Sequence, residues 1–166
     1  MSHSFIAAAA LGTAILATPA LATNELTIVS DNLTANSALF DVSGDLNLLQ
    51  LTQHYDGLGG ANAIGLSITG DFNGGSSGAQ FTGAALSVGL QPGTIVQDGH
   101  ANAMDISVAG SGNLFAFAQH GSENTLNAAI TGSGNQAAAL QMGVGNVLSF
   151  TQNGSGNTIS VTQRSW

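Results

Sequence analysis

Residues 135–145 read NQAAALQMGVG, and residues 146–156 read NVLSFTQNGSG. The two segments share an initial asparagine, a glutamine six positions later and a glycine eight positions later. The same eleven-residue frame runs from residue 102 to residue 163, because asparagine recurs at Asn102, Asn113, Asn124, Asn135, Asn146 and Asn157. A fixed short period of this kind determines the architecture before local propensities are considered.

Inside each unit the side chains alternate with a period of two, which is typical of a β-strand. Asparagine, two apolar residues and usually glutamine point to one face, and small or polar residues point to the other. This pattern predicts six strands, over residues 102–108, 113–119, 124–130, 135–141, 146–152 and 157–163. The predicted core includes Met104, Ile106, Phe115, Phe117, Leu126, Leu148, Phe150, Ile159 and Val161.

The strands are joined by glycine-rich turns, typically Gly-Ser-Gly. Glycine supplies the positive φ angles that tight turns require. The recurring glycines of the frame are Gly99, Gly110, Gly121, Gly132, Gly143 and Gly154.

A strand of about seven residues buries its apolar face only by stacking on its neighbours, at roughly 4.8 Å per layer. Two units joined by a turn form one 22-residue rung, and like side chains then stack on like. One asparagine ladder is predicted for residues 102, 124 and 146 and a second for residues 113, 135 and 157. The glutamines assigned to ladders are Gln97, Gln119, Gln141, Gln152 and Gln163. The alternative is that the asparagines cap turns and the glutamines lie on the surface.

The predicted fold is therefore all-β: an amyloid-forming β-solenoid of stacked strand–turn–strand rungs with eleven-residue half-repeats. The units resemble curlin repeats, which build curli amyloid fibres. The shared spacing is Gln-x-Gly followed by Asn three residues after the glycine, as at 97–102, 119–124, 141–146 and 152–157, and residues 135–141 match the Asn-x-Ala-x-x-x-Gln half of the repeat. Departures are asparagine in place of the family's serine, larger residues in the alanine column, and Val108 and Ile130 in place of glutamine.

The resemblance implies a secreted structural subunit of extracellular, cell-surface fibres that serve adhesion and biofilm matrix. It implies export through the periplasm, self-polymerisation, and partners among other curli-type subunits, an outer-membrane secretion pore and periplasmic accessory factors. Whether the chain is a major subunit or a minor nucleator stays open. The alternative function is that of a non-polymerising secreted β-solenoid, either an adhesin or an ice-binding-type surface protein.

The organisation along the chain follows from the same frame. Residues 1–22 are predicted to form a signal peptide, with an apolar segment over 5–17 and a small-residue cleavage site before Thr23. The alternative is an uncleaved anchor, because no Lys or Arg precedes the apolar segment. Residues 23–35 form an N-terminal segment and 36–166 the repeat domain, which is irregular over 73–97 and most regular over 97–163.

The composition excludes several function classes. The absence of cysteine excludes disulfides and zinc-thiolate sites, and a single basic residue, Arg164, argues against nucleic-acid binding. No catalytic constellation, cofactor motif or metal-ligand spacing is present, so neither an enzyme nor a cofactor is expected. His54, His100 and His120 are expected in turns.

The C-terminal end is predicted to be the templating edge. Residues 124–163 contain no charged residue and no proline, which is the composition of a cross-β segment. The alternative is that Arg164 guards the edge and Trp166 folds back as a cap.

Overall fold

The computed structural model describes residues 14–16, 24–31, 36–75 and 78–166. Over these ranges the chain is nearly all-β and forms a β-solenoid of about six turns with parallel stacked strands. The fold class predicted from the eleven-residue period is confirmed at this level. The predicted signal peptide lies outside the described residues, apart from the short segment Ala14–Leu16.

The described strands are β1 (Ala14–Leu16), β2 (Glu25–Ser30), β3 (Asn36–Ser43), β4 (Leu48–Tyr55), β5 (Asn62–Thr69), β6 (Thr94–His100), β7 (Ala103–Ala109), β8 (Leu114–Ser122), β9 (Thr125–Ser133), β10 (Gln136–Val144), β11 (Val147–Ser155) and β12 (Thr158–Arg164). A four-residue helix, α1 (Gly83–Leu86), lies between β5 and β6.

Successive strands belong alternately to two parallel sheets. Sheet A runs in the order β12-β10-β8-β6-β4-β2, and sheet B in the order β1-β3-β5-β7-β9-β11. Over the regular part, paired residues are 22 apart, as in the pairing of Gln119 with Gln141 and of Leu126 with Leu148. Each rung therefore contributes one strand to each sheet, as the sequence period predicts.

The core lies between the two sheets and is formed by the alternating apolar positions. Ile106, Phe117 and Leu126 are completely buried in it. Phe117 stacks near Phe115, with ring centroids 5.8 Å apart, and lies 6.1 Å from the ring of Phe150 in the next rungs. On successive strands the inward-facing residues that follow the ladder asparagine are apolar, and they stack on one another. The core is therefore continuous along the stack.

The irregular segment of the sequence is an excursion out of sheet A. Gly74 forms parallel bridges to both Leu48 and Leu114, so the chain enters sheet A at this residue. It then leaves the sheet and rejoins it at Thr94. Residues 78–93, which we call the strap, cross the outer surface of sheet A. Phe81 and Ala85 of the strap are buried against alanines of β8 and β10, which are small enough to accept them.

Two boundaries from the sequence need correction. The six predicted strands begin one residue later than predicted, because the asparagines from Asn102 to Asn157 lie in the turns that precede them, whereas Asn36 and Asn62 are the first residues of β3 and β5. The N-terminal segment assigned to 23–35 is not separate from the repeats. Its residues Glu25–Ser30 form β2, which pairs in register with β4.

Candidate self-association site

The asparagine ladders lie at the corners of the rungs and are buried except at the ends of the stack, where Asn24 and Asn146 are half-buried and Asn157 is exposed. The amide Nδ2 of Asn124 donates to Oδ1 of Asn102 at 3.0 Å, and its backbone N donates to the same oxygen at 3.1 Å. The second Nδ2 hydrogen reaches the carbonyl of Gly143 at 3.0 Å. The amide groups along the stack are therefore satisfied, which removes the penalty of roughly 1–3 kcal/mol per unpaired buried group.

Both predicted ladders are present and are longer than the sequence indicated. The first contains Asn36, Asn62, Asn102, Asn124 and Asn146. The second contains Asn24, Asn47, Asn73, Asn113, Asn135 and Asn157. Sequence reasoning missed Asn24 and Asn73. Asn73 carried a usable signal, because it lies eleven residues after Asn62.

A glutamine ladder runs inside sheet A. Gln119 donates through Nε2 to Oε1 of Gln141 at 2.9 Å, and Gln141 donates to Gln163 at 2.8 Å. Each Nε2 also reaches a carbonyl at the start of the facing strand, as from Gln119 to Ala103 at 3.0 Å. The complete ladder consists of Gln53, Gln97, Gln119, Gln141 and Gln163.

Gln152 does not belong to a ladder, contrary to the sequence assignment. It lies on sheet B, where its register neighbour is Ile130. Its Nε2 donates to the carbonyl of Gln136 at 3.3 Å, but its buried Oε1 has no hydrogen-bond partner among the described residues. The eleven-residue frame assigned it to a ladder because the frame does not distinguish the two sheets.

The frame glycines form two columns at positions where a side chain would point at the neighbouring backbone. One column contains Gly99, Gly121 and Gly143, and the other contains Gly110, Gly132 and Gly154. All six have positive φ. A Cβ on Gly132 would lie 1.9 Å from the carbonyl oxygen of Gly154, so no larger residue fits there without moving the backbone.

Most predicted core residues are buried, and the exceptions lie at one end of the stack. Met104, Ile106, Phe115, Phe117 and Leu126 are buried. Leu148, Phe150, Ile159 and Val161 are half-buried. These four belong to β11 and β12, which are covered by a neighbouring strand on only one side in the described part of the chain.

The C-terminal end of the stack therefore presents an open surface. The ladders end at Asn146, Asn157 and Gln163. In the rest of the stack the corresponding amide groups bind the following rung, whereas here they face outward. The Ser165 hydroxyl donates to the carbonyl of Val144 and accepts a hydrogen bond from Nδ2 of Asn146. These two bonds fix the last turn. Trp166 is fully exposed, so it does not fold back as a cap.

Within the described ranges, the N-terminal end of sheet A is open as well. Among the described residues β2 pairs with β4 alone, and Leu26 and Ile28 are half-buried against the core. Both ends of sheet A are thus strand edges. At each edge the inward-facing residues begin with an asparagine, followed at every second position by two apolar residues.

Histidine–aspartate pairs lie on the outer face of sheet A. They occur at strand ends rather than in turns as the sequence suggested, since His54 is in β4 and His100 in β6. The hydrogen bond that His54 Nδ1 donates to the Asp31 carboxylate, together with the negative charge of that carboxylate, raises the pKa of His54. Partial burial favours a higher pKa for Asp31, but hydrogen bonds from the Tyr55 backbone N and from His54 outweigh it, so the pKa of Asp31 is lowered.

A second pair joins the turn after β4 to the end of β6. His100 Nδ1 lies 2.9 Å from Oδ2 of Asp56, and this hydrogen bond lowers the pKa of Asp56. These contacts tie neighbouring rungs together on the solvent side.

The described residues offer little other chemistry. No group of three or more His, Cys, Asp or Glu side chains among them is placed to hold a metal ion. No helix in the same ranges is long and apolar enough to cross a membrane. A cleft of about 460 Å³ lies between the strap and strands β2 and β4, and its lining combines amides and hydroxyls such as Gln50, Gln91 and Thr94 with apolar residues such as Leu49.

No protein-family model matches the chain, and no curated protein is significantly similar to it. The likeness to curlin repeats therefore depends on the residue spacing given above.

Proposed function

We propose that this chain is a secreted structural subunit that polymerises into extracellular cross-β fibres of the curli type. The observation that carries the proposal is the pair of open strand edges at opposite ends of sheet A, each with a ladder asparagine and an alternating apolar face. Natural β-proteins usually protect such edges with charge, proline or a covering element. Here β12 has only Arg164 as a charged residue.

The resemblance to curlin repeats supplies the biological part of the proposal. The chain is exported through the periplasm and an outer-membrane pore with the help of accessory factors, and assembles at the cell surface with itself and other curli-type subunits. Its role in adhesion and biofilm matrix is mechanical, with no catalysis.

The test is to release the purified chain from denaturant and follow its sedimentation, thioflavin fluorescence and fibre diffraction. We expect fibres with a meridional spacing near 4.8 Å, because growth continues the strand stacking of the monomer. A folded chain that remains monomeric at high concentration would contradict the proposal.

The second candidate is a non-polymerising adhesin. It is favoured by the strap, which packs on the outer face of sheet A at β8 and β10 and forms the cleft beside β2 and β4. A stable monomer whose binding to cells is lost when the cleft residue Gln50 is replaced by a bulky Trp would select this candidate.

A further inference from the structure

One outward column of sheet A changes from acidic to basic along the stack. The column contains the residues that lie seven positions after a ladder asparagine on each strand of sheet A, and on β6, which has no ladder asparagine, the residue paired with them. Its members are Asp31, His54, Asp98, His120, Met142 and Arg164. Within the column His54 bonds to Asp31, and Nδ1 of His120 lies 3.5 Å from Oδ2 of Asp98. The acidic end of the column is on β2 and the basic end is on β12.

Resting on the proposed self-assembly, we propose that copies join with β2 of one copy in parallel register on β12 of another. In this junction the guanidinium of Arg164 pairs with the carboxylate of Asp31 of the next copy. The partner is therefore a second copy of this chain, and the contact links the two opposite ends of sheet A.

The asparagine ladder sets this register. In the stack, Asn157 donates from N and Nδ2 to Oδ1 of Asn135 at 3.1 and 3.2 Å, and Asn47 binds Oδ1 of Asn24 in the same way. Continuing the ladder from one copy to the next places Asn24 of the next copy on Asn157. Seven residues further along, Asp31 of the next copy then lies on Arg164.

Other registers lose both features. A shift of two residues keeps the apolar face inward but sets the Asn24 amide against Ile159, where no amide is available. It also separates Asp31 from Arg164, which is the only Lys or Arg in the chain. Charge complementarity and ladder continuity therefore select the same alignment.

The pair can form only between copies. Asp31 and Arg164 lie on the first and last strands of sheet A, which are five strand spacings apart. At about 4.8 Å per spacing, this is roughly 24 Å within one chain. Exposed ion pairs add little stability, but complementary charges raise association rates and fix register, so the contact acts mainly on growth.

The test compares wild type, Arg164→Glu, Asp31→Arg and an equimolar mixture of the two variants, at pH 8 and low salt. Every junction in a pure variant sets like charges together, so we expect each to elongate roughly five- to tenfold more slowly than wild type. In the mixture every junction between unlike copies is complementary. We therefore expect the wild-type rate to return, with equal amounts of both variants in the fibres.

Net charge does not explain this result, because Arg164→Glu makes the chain more negative and Asp31→Arg makes it less negative. Circular dichroism of the monomers checks folding, and if Asp31→Arg does not fold, the rate of Arg164→Glu decides alone. Wild-type growth by Arg164→Glu, or a mixture no faster than its components, would overturn the junction. Absence of fibres from wild type would instead overturn the proposed function, and the junction with it.

Discussion

At most of the frame glycines a side chain would collide with the backbone of the next rung. Each frame glycine except Gly154 lies against a carbonyl of the next rung, whereas a Cβ on Gly154 would meet only the Asn157 amide at 3.2 Å. Gly154 is on β11, which ends sheet B in the described residues. The glycine columns are therefore a consequence of stacking as well as of turn geometry.

Replacing Gly132 by alanine should destabilise the fold by several kcal/mol or prevent folding, because the new Cβ would overlap the Gly154 carbonyl. The matched control is Gly154→Ala. Gly154 has a φ of 107°, close to the 118° of Gly132, but a Cβ there would meet only the Asn157 side-chain amide, at 3.2 Å, so the expected cost is that of the backbone conformation, roughly 1–3 kcal/mol. Urea unfolding of the two monomers measures the difference. Equal losses would mean that φ alone, not inter-rung contact, requires these glycines.

The positions of these glycines were predictable from the sequence, but the reason for them was only half predictable. The Gly-Ser-Gly repeats indicated turns correctly. The overlap that a Cβ at Gly132 would make with Gly154 could not be inferred, because it depends on the relative placement of two backbone segments that are 22 residues apart in sequence.

Substitution of a buried glutamine should have opposite effects on stability inside and outside the glutamine ladder. Gln152→Ile extends the apolar column of Ile130 and removes an unpaired oxygen, so stability should stay equal or rise by about 1 kcal/mol. Gln141→Ile leaves amide groups of Gln119 and Gln163 without partners and should cost roughly 2–4 kcal/mol. Denaturation midpoints of the monomers give both values. A larger loss for Gln152→Ile would show that its single hydrogen bond to Gln136 outweighs the unpaired oxygen.

At the scale of elements, the strap is an addition to an otherwise regular stack. Asn73 and Asn113 are ladder neighbours separated by 40 residues, whereas Asn113 and Asn135 are separated by 22. The strap is held on the outside by Phe81 and by two reciprocal hydrogen bonds between Thr82 and Gln136, both of 2.7 Å. It can therefore detach without breaking a ladder.

Phe81→Asp should release the strap, because the buried ring is replaced by a carboxylate that has no partner in the alanine-lined site. We expect rapid proteolysis within residues 78–93, with strands β8 to β12 protected. Leu86→Asp is the control, since Leu86 lies on α1 but is 60% exposed, and its cleavage should match wild type. Global unfolding of Phe81→Asp would instead make the strap part of the folding core.

This element also marks the limit of the sequence pattern. The frame was predicted correctly from residue 97 to residue 163, where no insertion interrupts it. It failed at Asn24, which lies twelve residues before Asn36 and so falls outside the eleven-residue count, and only the three-dimensional ladder identifies this member. It also failed at Asn73, which keeps the count from Asn62 but is followed by the strap instead of an alternating strand.

Charge is distributed unevenly over the whole molecule. All nine acidic residues lie at or before Glu123, and the one basic residue is Arg164. The outer histidine–aspartate pairs lie in the acidic part. Protonation of histidine there adds attraction between rungs and also reduces the overall negative charge that opposes self-association.

The fold should be most stable at mildly acidic pH. The raised pKa of His54 contributes stability below its usual value of 6.5, which is lost as pH rises through the folded value. The lowered pKa values of Asp31 and Asp56 contribute stability above 3.8, which is lost as pH falls through the folded values. The optimum therefore lies between 3.8 and 6.5, and urea unfolding across pH measures it. His54→Gln should flatten the alkaline side; an unchanged profile would contradict this assignment.

A proline at the open edge of β12 tests the direction of assembly. In the rung below, backbone N of Gln136 donates to the carbonyl of Asn157, and Ala138 and Ser160 occupy paired positions two residues further on. By the same pattern the N–H of Ser160 faces the open edge, so Ser160→Pro removes a donor that the monomer does not use. We expect normal monomer folding but no growth from this edge.

The same variant keeps an intact β2, so it should add to the C-terminal end of a wild-type fibre and then block it. Substoichiometric Ser160→Pro should therefore inhibit wild-type growth, while Ser160→Ala, which also loses the hydroxyl contact with Ser87, should not. Elongation followed by thioflavin fluorescence separates the two. Normal fibre growth by pure Ser160→Pro would show that β12 is not the edge on which copies assemble, since proline cannot donate the hydrogen bond that a stacked strand requires.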